Sequence, residues 1–407
     1  YPIIYSLWPC PTLLIQKGPD MKKICIIRQA YFPGDVRVRK EALALIDKGY
    51  KVDVIGLQDN GEEREDNYRG VNIYRINMQR HRGTISRYLY EYISFFLSAS
   101  VKLCSLYFRN RYDYIQVNTL PDFLVFSTII PKLFGAKVIL DLHEPSPELW
   151  GSIFGFDKKY FIKAIKFIEK VSIQYADKAI TVSEEMKNNY IKRGAPPSKI
   201  SVILNVPNLE FNPDLYKEYY QSRNDDKFLI ISHGLIVKRY GQQYAIRAVS
   251  LLKDKIPSIQ LNILGKGEYE AELRKLVSDL ELENYVYLHR FIPFDSMIKM
   301  MAKSDIGIVP VEKNPYSDLV HTNKMFELIA MKKPVIISRT KAVENYFGSD
   351  DSCLKYFESG NEEDLARCIL ELYHSPETRE KMVINAYKKF ESAHWEKTKE
   401  DYCNLFV

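Results

Sequence analysis

From Met21 onward, short apolar runs alternate with amphipathic stretches along the chain. Such alternation is typical of βαβ units, in which helices join the buried strands of a parallel sheet. The first helix should end at Gly49, because glycine tolerates a positive φ. The pattern predicts strands at Lys23–Arg28, Lys51–Leu57, Val71–Ile76, Tyr114–Val117, Lys137–Leu142 and Ala179–Val182, and helices at Asp35–Lys48, 84–109, 158–175 and 184–193.

The pattern breaks over Asn205–Asp226, which contains Pro207 and Pro213 and shows no hydrophobic period, so we place a linker there. It then resumes with strands at Phe228–Ser232, Gln260–Leu264, Val286–Leu288, Ile306–Pro310 and Pro334–Ser338, and helices at Tyr240–Leu252 and Glu268–Leu280.

The sequence therefore predicts two α/β units of similar size, residues 21–208 and 209–392. A last helix at about 393–407 could pack back on the first unit, and residues 1–20 are expected to be an extension outside the fold. Ligands of such sheets bind at the carboxyl ends of the strands. A cleft between two of them suits a donor on one side and an acceptor on the other.

Composition narrows the functional classes. The 407 residues are 46% hydrophobic and 27% charged, which is ordinary for a soluble globular protein. A net charge of +6 argues against a nucleic-acid partner and fits weak attraction to phosphates or anionic surfaces. The six scattered cysteines favour reduced cytoplasmic thiols over disulfides or a zinc site. No apolar run is long enough to predict a membrane span.

The segment Thr322–Glu327 carries the most informative candidate chemistry. Thr322 is a good N-cap for a helix over Asn323–Met331, and the amides at this helix start would attract a diphosphate. Lys324 adds positive charge, and Glu327, one turn later on the same face, could accept hydrogen bonds from a ribose. The alternative is a surface helix with an intrahelical Lys–Glu pair, and spacing alone does not decide between the two.

The loop after the strand at 228–232 is a second candidate. Gly234 and Gly241 flank Lys238 and Arg239, an arrangement that suits a phosphate cradle. The alternative is a pair of solvated loop charges.

Two features of the first unit are weaker. Gly34 opens the first helix and could admit a donor phosphate or an acceptor, while Arg37, Arg39 and Lys40 beside it are expected to form a solvated face or to meet an anionic acceptor. His143 follows the strand at 137–142, where this architecture places chemistry, although a structural histidine is the commoner case.

The run from Asn323-Lys-Met-Phe-Glu327 to Lys333-Pro-Val-Ile-Ile-Ser338 resembles the donor-site motif of the family 4 retaining glycosyltransferases. The resemblance covers nearly everything from Met21 onward. It implies the GT-B fold, in which two Rossmann-like domains face each other across a cleft. Further landmarks follow in the family's order: Pro33–Arg37, Asp141–Glu144, Thr181–Glu184, His233–Gly241 and Leu264–Gly267.

The resemblance also implies roles. Glu327 would hold the nucleotide ribose and Arg239 or Lys238 the diphosphate, and His143 would lie in the active site without being assigned as the base. One position departs from the family. The family often has a Glu-x7-Glu motif, and the position of its first glutamate is occupied here by Leu319, next to Asp318. No sugar-contacting glutamate is therefore assigned.

Neither a metal nor a separate cofactor is expected. The chain has no Asp-x-Asp, and Gly265-Lys-Gly267 is not followed by the third glycine of a dinucleotide fingerprint, since residue 270 is Glu. Fixed cations such as Arg239 and Lys324 would take the place of a metal on the diphosphate.

The stretch Arg80–Arg111 bears on location. Its longest uncharged run, Tyr92–Val101, is too short to cross a bilayer, but its aromatics are dense and arginines flank them. An interfacial helix would have this composition, and so would a helix buried against the sheet.

The sequence thus predicts a retaining glycosyltransferase of cell-surface polysaccharide biosynthesis, a hexosyl- or N-acetylhexosaminyl-transferase. Its partners would be a nucleotide-sugar donor, with UDP favoured by its frequency in the family, and a glycan or lipid-linked acceptor. We expect a cytoplasmic protein, with peripheral contact to the inner face of the plasma membrane as one interpretation. The alternatives are a nucleotide-sugar-binding protein without turnover and a dinucleotide oxidoreductase, against which the absent glycine fingerprint argues.

Overall fold

The computed structural model describes residues 21–80, 83–207, 211–221, 226–290 and 292–407. The expected extension at 1–20 and part of the predicted linker lie outside these residues. Within them the chain forms an eight-stranded and a six-stranded sheet, which alternate with helices along the sequence.

The first sheet has the strand order β3-β4-β2-β1-β5-β6-β7-β8 and is parallel except for β3. Its central strand is apolar because both faces are covered, and Ile24 to Ile27 are fully buried. The strands are β1 (Lys23–Tyr31), β2 (Lys51–Leu57), β3 (Glu65–Tyr68), β4 (Val71–Ile76), β5 (Tyr114–Asn118), β6 (Lys137–Leu142), β7 (Lys178–Thr181) and β8 (Ile200–Val202).

Helices cover both faces of this sheet, and some of them begin at a capping side chain. Asp35 caps the first helix by accepting from the Val38 amide, and the helix ends before Gly49, whose φ is 84°. The helices of this unit are α1 (Val36–Asp47), α2 (Ile85–Asn110), α3 (Ile129–Leu133), α4 (Ser146–Phe154), α5 (Lys159–Tyr175) and α6 (Glu184–Lys192).

The second sheet is wholly parallel, with the order β11-β10-β9-β12-β13-β14. Its strands are β9 (Phe228–His233), β10 (Ile259–Leu264), β11 (Val286–His289), β12 (Ile306–Val309), β13 (Val335–Ser338) and β14 (Lys355–Phe357). The remaining helices are α7 (Lys217–Gln221), α8 (Gln242–Leu252), α9 (Glu270–Asp279), α10 (Phe294–Lys303), α11 (Asn323–Ala330), α12 (Lys341–Phe347), α13 (Glu362–His374), α14 (Pro376–Ala393) and α15 (Trp395–Cys403).

The last helix returns to the first unit. Tyr402 on α15 donates its hydroxyl to Gln116 on β5 at 2.7 Å, and Lys178 on β7 donates to the Leu405 carbonyl at 2.7 Å. The Lys40 ammonium lies 4.7 Å from the centre of the Trp395 ring. The C-terminal segment therefore ties the two units together beside the first sheet.

Helix α2 has two apolar faces. Phe95, Ala99 and Leu103 are fully buried against the first sheet, whereas Leu97 and Val101 are 57% and 73% exposed on the other side. One face of the helix is therefore buried against the sheet, and contact of the other face with a membrane stays a prediction. Of the helices in the described part of the chain, none has the length and apolar content needed to cross a bilayer.

Candidate active site

A cavity of about 240 Å³ lies between the two units, where strands of both sheets end. The first unit contributes His143 and Glu144 after β6, Val182 after β7, and Asn205. The second unit contributes the loop after β9, the loop after β12 and the start of α11. These residues are Leu235, Arg239, Tyr240, Val311, Glu312, Asn314, Tyr316, Ser317, Val320, His321, Thr322, Asn323 and Lys324.

Helix α11 presents its N-terminus to this cavity. Thr322 is the N-cap, and its side chain accepts from the Met325 amide at 3.4 Å, as the sequence predicted. Asn323 accepts from the Asn205 side chain at 3.1 Å, which links the helix start to the first unit. The free amides of this first turn and the helix dipole favour an anion in the cavity.

Lys324 packs tightly against the loop after β9. Gly234 has a φ of 111°, and a Cβ built there would lie 2.2 Å from Cε of Lys324. Glycine at this position therefore leaves the room that the lysine side chain occupies. The ammonium group sits 3.5 Å from the centre of the Tyr240 ring and reaches the cavity.

Arg239 is held in the short 3-10 turn Lys238–Tyr240. Its Nε is buried and has no hydrogen-bond partner among the described residues. Lys238, in the same turn, is exposed, and its side chain does not line the cavity. Of the two basic residues that the sequence proposed for this loop, Arg239 faces the cavity.

Arg239 and Lys324 thus bring two positive charges to one cavity. In the part of the chain that the structure describes, neither forms a salt bridge with a carboxylate. Partly buried cations without carboxylate partners are costly unless an anion compensates them. The arrangement is suited to a phosphate-bearing ligand.

The pH dependence of diphosphate binding at this cavity should report on Lys324. Desolvation lowers the pKa of its ammonium to about 7, with Glu327 opposing and Arg239 assisting the shift. A bound diphosphate would raise this pKa, so affinity should be highest below pH 7 and fall by up to about tenfold per pH unit above it. Calorimetry in two buffers of different ionisation enthalpy should detect proton uptake near pH 8.

Lys324→Arg is the control for this measurement, because arginine stays charged throughout the range. Its affinity should be flat between pH 7 and 9. An equally flat profile for the unmodified protein would show that Lys324 does not meet the anion.

Glu327 lies one turn below Lys324 and does not line the cavity. Its Oε2 is 2.6 Å from Nε2 of His233 at the end of β9. This pair fixes the carboxylate beside the loop that carries Gly234. The ribose role stays a prediction, and a ribose would have to reach this carboxylate from the cavity edge.

His143 is held from beneath by a buried charge network. Its Nε2 is 2.9 Å from Oδ2 of Asp141 and 2.9 Å from the Asn118 amide nitrogen. Burial lowers the pKa of His143 to about 4, although Asp141 opposes this, so the imidazole is neutral at pH 7. Arg37 donates to both oxygens of Asp141, at 2.7 and 3.0 Å.

The expectation of a solvated or acceptor-binding face at the start of α1 was wrong for two of its three basic residues. Arg37 is 4% exposed and pairs with Asp141 and Glu41, and Lys40 donates to the Val206 carbonyl at 2.8 Å. These side chains point under the sheet edge, where buried carboxylate and carbonyl oxygens accept their hydrogen bonds. The amphipathic pattern of α1 does not reveal these acceptors, which is why the prediction failed.

The position of the family's first glutamate is structural in this chain. The Leu319 carbonyl accepts from Ser183 Oγ at 2.5 Å, which joins the units. Asp318 accepts from the Lys341 amide at 3.0 Å at the start of α12. The carboxylates that line the cavity are instead Glu144 and Glu312.

Glu144 stands where the cavity meets a second one. Tyr316 donates to its Oε2 at 2.7 Å from the opposite unit. Burial raises the pKa of the Glu144 carboxyl, while this hydrogen bond and nearby arginines lower it. The adjoining cavity, of about 230 Å³, shares Glu144, Arg239, Tyr240 and Tyr316 with the first and extends toward α2 and α4.

The structure thus brings five of the predicted site residues to one cavity: His143, Arg239, Thr322, Asn323 and Lys324. Gly34 is exposed in the turn before α1 and lines neither cavity. Among the described residues no group of three His, Cys, Asp or Glu side chains could hold a metal ion. The absence of a metal from the reaction stays a prediction.

Sequence reasoning missed Tyr240, Glu312 and Tyr316 as cavity residues, and it quoted Glu144 only as part of a motif. Glu144 follows β6 directly, so its place at a strand end was a usable signal. The loop 310–322 has no hydrophobic period, and nothing in the sequence showed that Tyr316 crosses to the first unit.

Two facing sheets, parallel except for one edge strand, with a polar cavity at their carboxyl edges define the GT-B class. The sequence matches the family model for Glycosyltransferase Family 4 over residues 35–211 and that for Glycosyl transferases group 1 over residues 219–389. The chain belongs to the family 4, group 1 glycosyltransferases. The two matched regions meet within the predicted linker.

Individual relatives are distant. The chain is 22% identical to the sulfoquinovosyl transferase of Arabidopsis thaliana over 315 residues, 75% of this chain and 58% of that protein. It is 24% identical to the chitobiosyldiphosphodolichol beta-mannosyltransferase of Candida albicans over 247 residues, 53% of this chain and 52% of that protein. The aligned regions therefore span about half the length of these relatives.

The solved structure of Anabaena HepE in complex with UDP-glucose has the same fold. The two superpose with a TM-score of 0.69 at 15% identity, covering 94% of this chain and 98% of that one. At this identity the likeness supports the GT-B architecture alone.

Proposed function

We propose that the chain transfers a hexose or N-acetylhexosamine from a UDP-linked donor to a glycan or lipid-linked acceptor, with retention, in the assembly of a cell-surface polysaccharide. The observation that carries this proposal is a pair of cations, Arg239 in the turn after β9 and Lys324 in the first turn of α11. The two cations and the helix N-terminus converge on one interdomain cavity, with no carboxylate in a salt bridge to either cation among the described residues.

The chemistry asks for charge stabilisation more than for a nucleophile. The bond between the sugar C1 and the diphosphate oxygen breaks, and its electron pair stays on the diphosphate. Arg239, Lys324 and the α11 amides would stabilise that charge. The acceptor oxygen bonds to C1 on the same face, and its proton passes to the departing phosphate oxygen.

The first unit supplies the acceptor side of this scheme. His143 is neutral and its Nε2 edge is engaged by Asp141 and Asn118, which favours a positioning role over that of a base. Glu144 lies between the two cavities and can orient hydroxyl groups of donor or acceptor.

Support for the donor comes from a relative of the same fold, since HepE was solved with UDP-glucose. Two further relatives bear the name of GDP-mannose-dependent mannosyltransferases and are 31% and 34% identical over 85 and 82 residues. An experiment must therefore distinguish between UDP and GDP as the nucleotide of the donor.

A panel of UDP- and GDP-linked sugars should identify one donor that the full chain hydrolyses slowly without acceptor. Calorimetry should show UDP binding more tightly than GDP. Tighter binding of GDP would overturn the proposal that the donor is linked to UDP. Binding of a donor without any hydrolysis or transfer would favour a binding protein without turnover.

We place the protein in the cytoplasm, on the inner face of the plasma membrane. The exposed apolar side of α2, which includes Leu97 and Val101, supports membrane contact, and exposed lysines of α5 such as Lys163 and Lys166 suit anionic lipid. Cell fractionation should recover it with membranes, and a wholly cytosolic distribution would contradict this placement.

A further inference from the structure

An apolar groove of about 150 Å³ lies between α2 and α5, apart from the donor cavity. Aromatic and aliphatic side chains dominate its wall, with Asp122 and Ser146 as the polar members. The Asp122 carboxyl accepts from Ser146 Oγ at 2.7 Å, and burial raises its pKa to about 7. Much of this carboxyl is therefore neutral near pH 7, so the groove carries little charge.

The groove adjoins the active-site cleft. It shares Tyr88, Tyr92, Leu120 and Trp150 with the middle cavity of about 230 Å³. That cavity in turn shares Glu144 and other residues with the donor cavity. Three compartments thus follow one another, from a cationic one through a polar one to an apolar one.

The wall between the last two compartments is ordered by aromatic packing around Trp150. The Tyr88 and Phe161 rings meet Trp150 edge to face with centroids at 5.0 and 6.0 Å, and Phe154 stacks on it at 5.3 Å. Three helices, α2, α4 and α5, contribute rings to this packing. Their contacts hold the wall of the groove in one arrangement.

The outer mouth opens on an apolar surface. Leu89 on α2 is 52% exposed and lines the groove, and Tyr160 and Phe167 on α5 are 91% and 67% exposed. A peptide in the groove would leave backbone groups without hydrogen bonds, whereas a hydrocarbon chain has no such groups to satisfy.

We propose that this groove holds the hydrocarbon chain of an amphiphilic acceptor, whose polar head occupies the middle cavity beside Glu144. The inference rests on the proposed transferase function and extends it by naming the class of acceptor and the residues that bind it. An acceptor seated in this way presents its head at the junction with the donor cavity, and its chain leaves toward the apolar surface.

Bromododecyl and bromobutyl glucoside, used below micellar concentration, test the groove without turnover. A brominated chain in the groove should quench Trp150 fluorescence. Because each buried methylene strengthens binding by about fourfold, the dodecyl compound should act at concentrations at least about tenfold lower than the butyl compound. Trp150→Phe should abolish the signal.

Two variants fill or charge the groove. Ala164→Phe and Ile165→Asp should each remove the advantage of the long chain, while Ile384→Asp, at an exposed apolar position on α14, should keep it. UDP affinity, measured by calorimetry, should be the same in all three. Absence of quenching, or quenching that Ala164→Phe leaves unchanged, would overturn the groove assignment.

With the donor that the panel selects, kcat/KM should be at least about tenfold higher for dodecyl than for butyl glucoside, and Ala164→Phe should equalise the two. Equal turnover of both acceptors by the unmodified protein would overturn the acceptor assignment even if the groove binds chains. Loss of UDP binding throughout would instead refute the transferase proposal, because the quenching experiment does not depend on the donor.

Discussion

Arg239→Ala should weaken UDP binding by about 30- to 150-fold. A hydrogen bond to a charged group contributes about 2–3 kcal/mol, and removal of the guanidinium would leave the diphosphate facing a cleft with one cation fewer. The buried Nε without a partner among the described residues is the atom that we expect the phosphate to satisfy. Calorimetric titration with UDP measures the effect directly.

Lys238→Ala is the matched control, since it removes a neighbouring positive charge whose side chain is exposed and does not line the cavity. It should change UDP affinity by less than about twofold, because an exposed charge at this distance is screened. The reverse outcome, in which Lys238→Ala weakens UDP binding and Arg239→Ala leaves it unchanged, would place the diphosphate on the other side of the loop.

Arg37→Met should destabilise the protein by about 3–5 kcal/mol, the usual cost of leaving buried carboxylates without their cation. Arg37 pairs with Asp141 at 2.7 Å and Glu41 at 3.0 Å, and both carboxylates are fully buried. Urea denaturation followed by circular dichroism measures the loss. Arg64→Met, at an exposed arginine, should stay within about 0.5 kcal/mol of the unmodified protein.

The loss of stability in Arg37→Met should depend on pH. Burial acts to raise the pKa of Asp141, but Arg37 holds it below the ordinary value, so the carboxylate stabilises the fold above about pH 4 and this contribution is lost on further acidification. Without Arg37 the buried carboxyl would bind a proton more readily than in the unfolded chain. The difference between the two proteins should therefore shrink from pH 8 to pH 5, and a constant difference would argue against the charge network.

Much of the fold followed from the hydrophobic pattern. Strands such as Lys51–Leu57 and Lys137–Leu142 have the bounds that the pattern predicts, because each is a short, mainly apolar segment between turn signals. The pattern did not predict β3 at Glu65–Tyr68, which is polar and pairs at the sheet edge, nor β8 and β14, which have only three residues each.

The sequence by itself also determined the cap at Thr322 and the cation that follows it, since both are local properties of a helix start. It could not separate Arg239 from Lys238, because adjacent residues in a turn differ only in which way the backbone aims them. Likewise, only the tertiary structure placed Arg37 under His143, set Tyr316 against Glu144 across the cleft, and brought the apolar groove beside the active site. Each of these depends on contacts between residues far apart in the chain, and no periodicity records them.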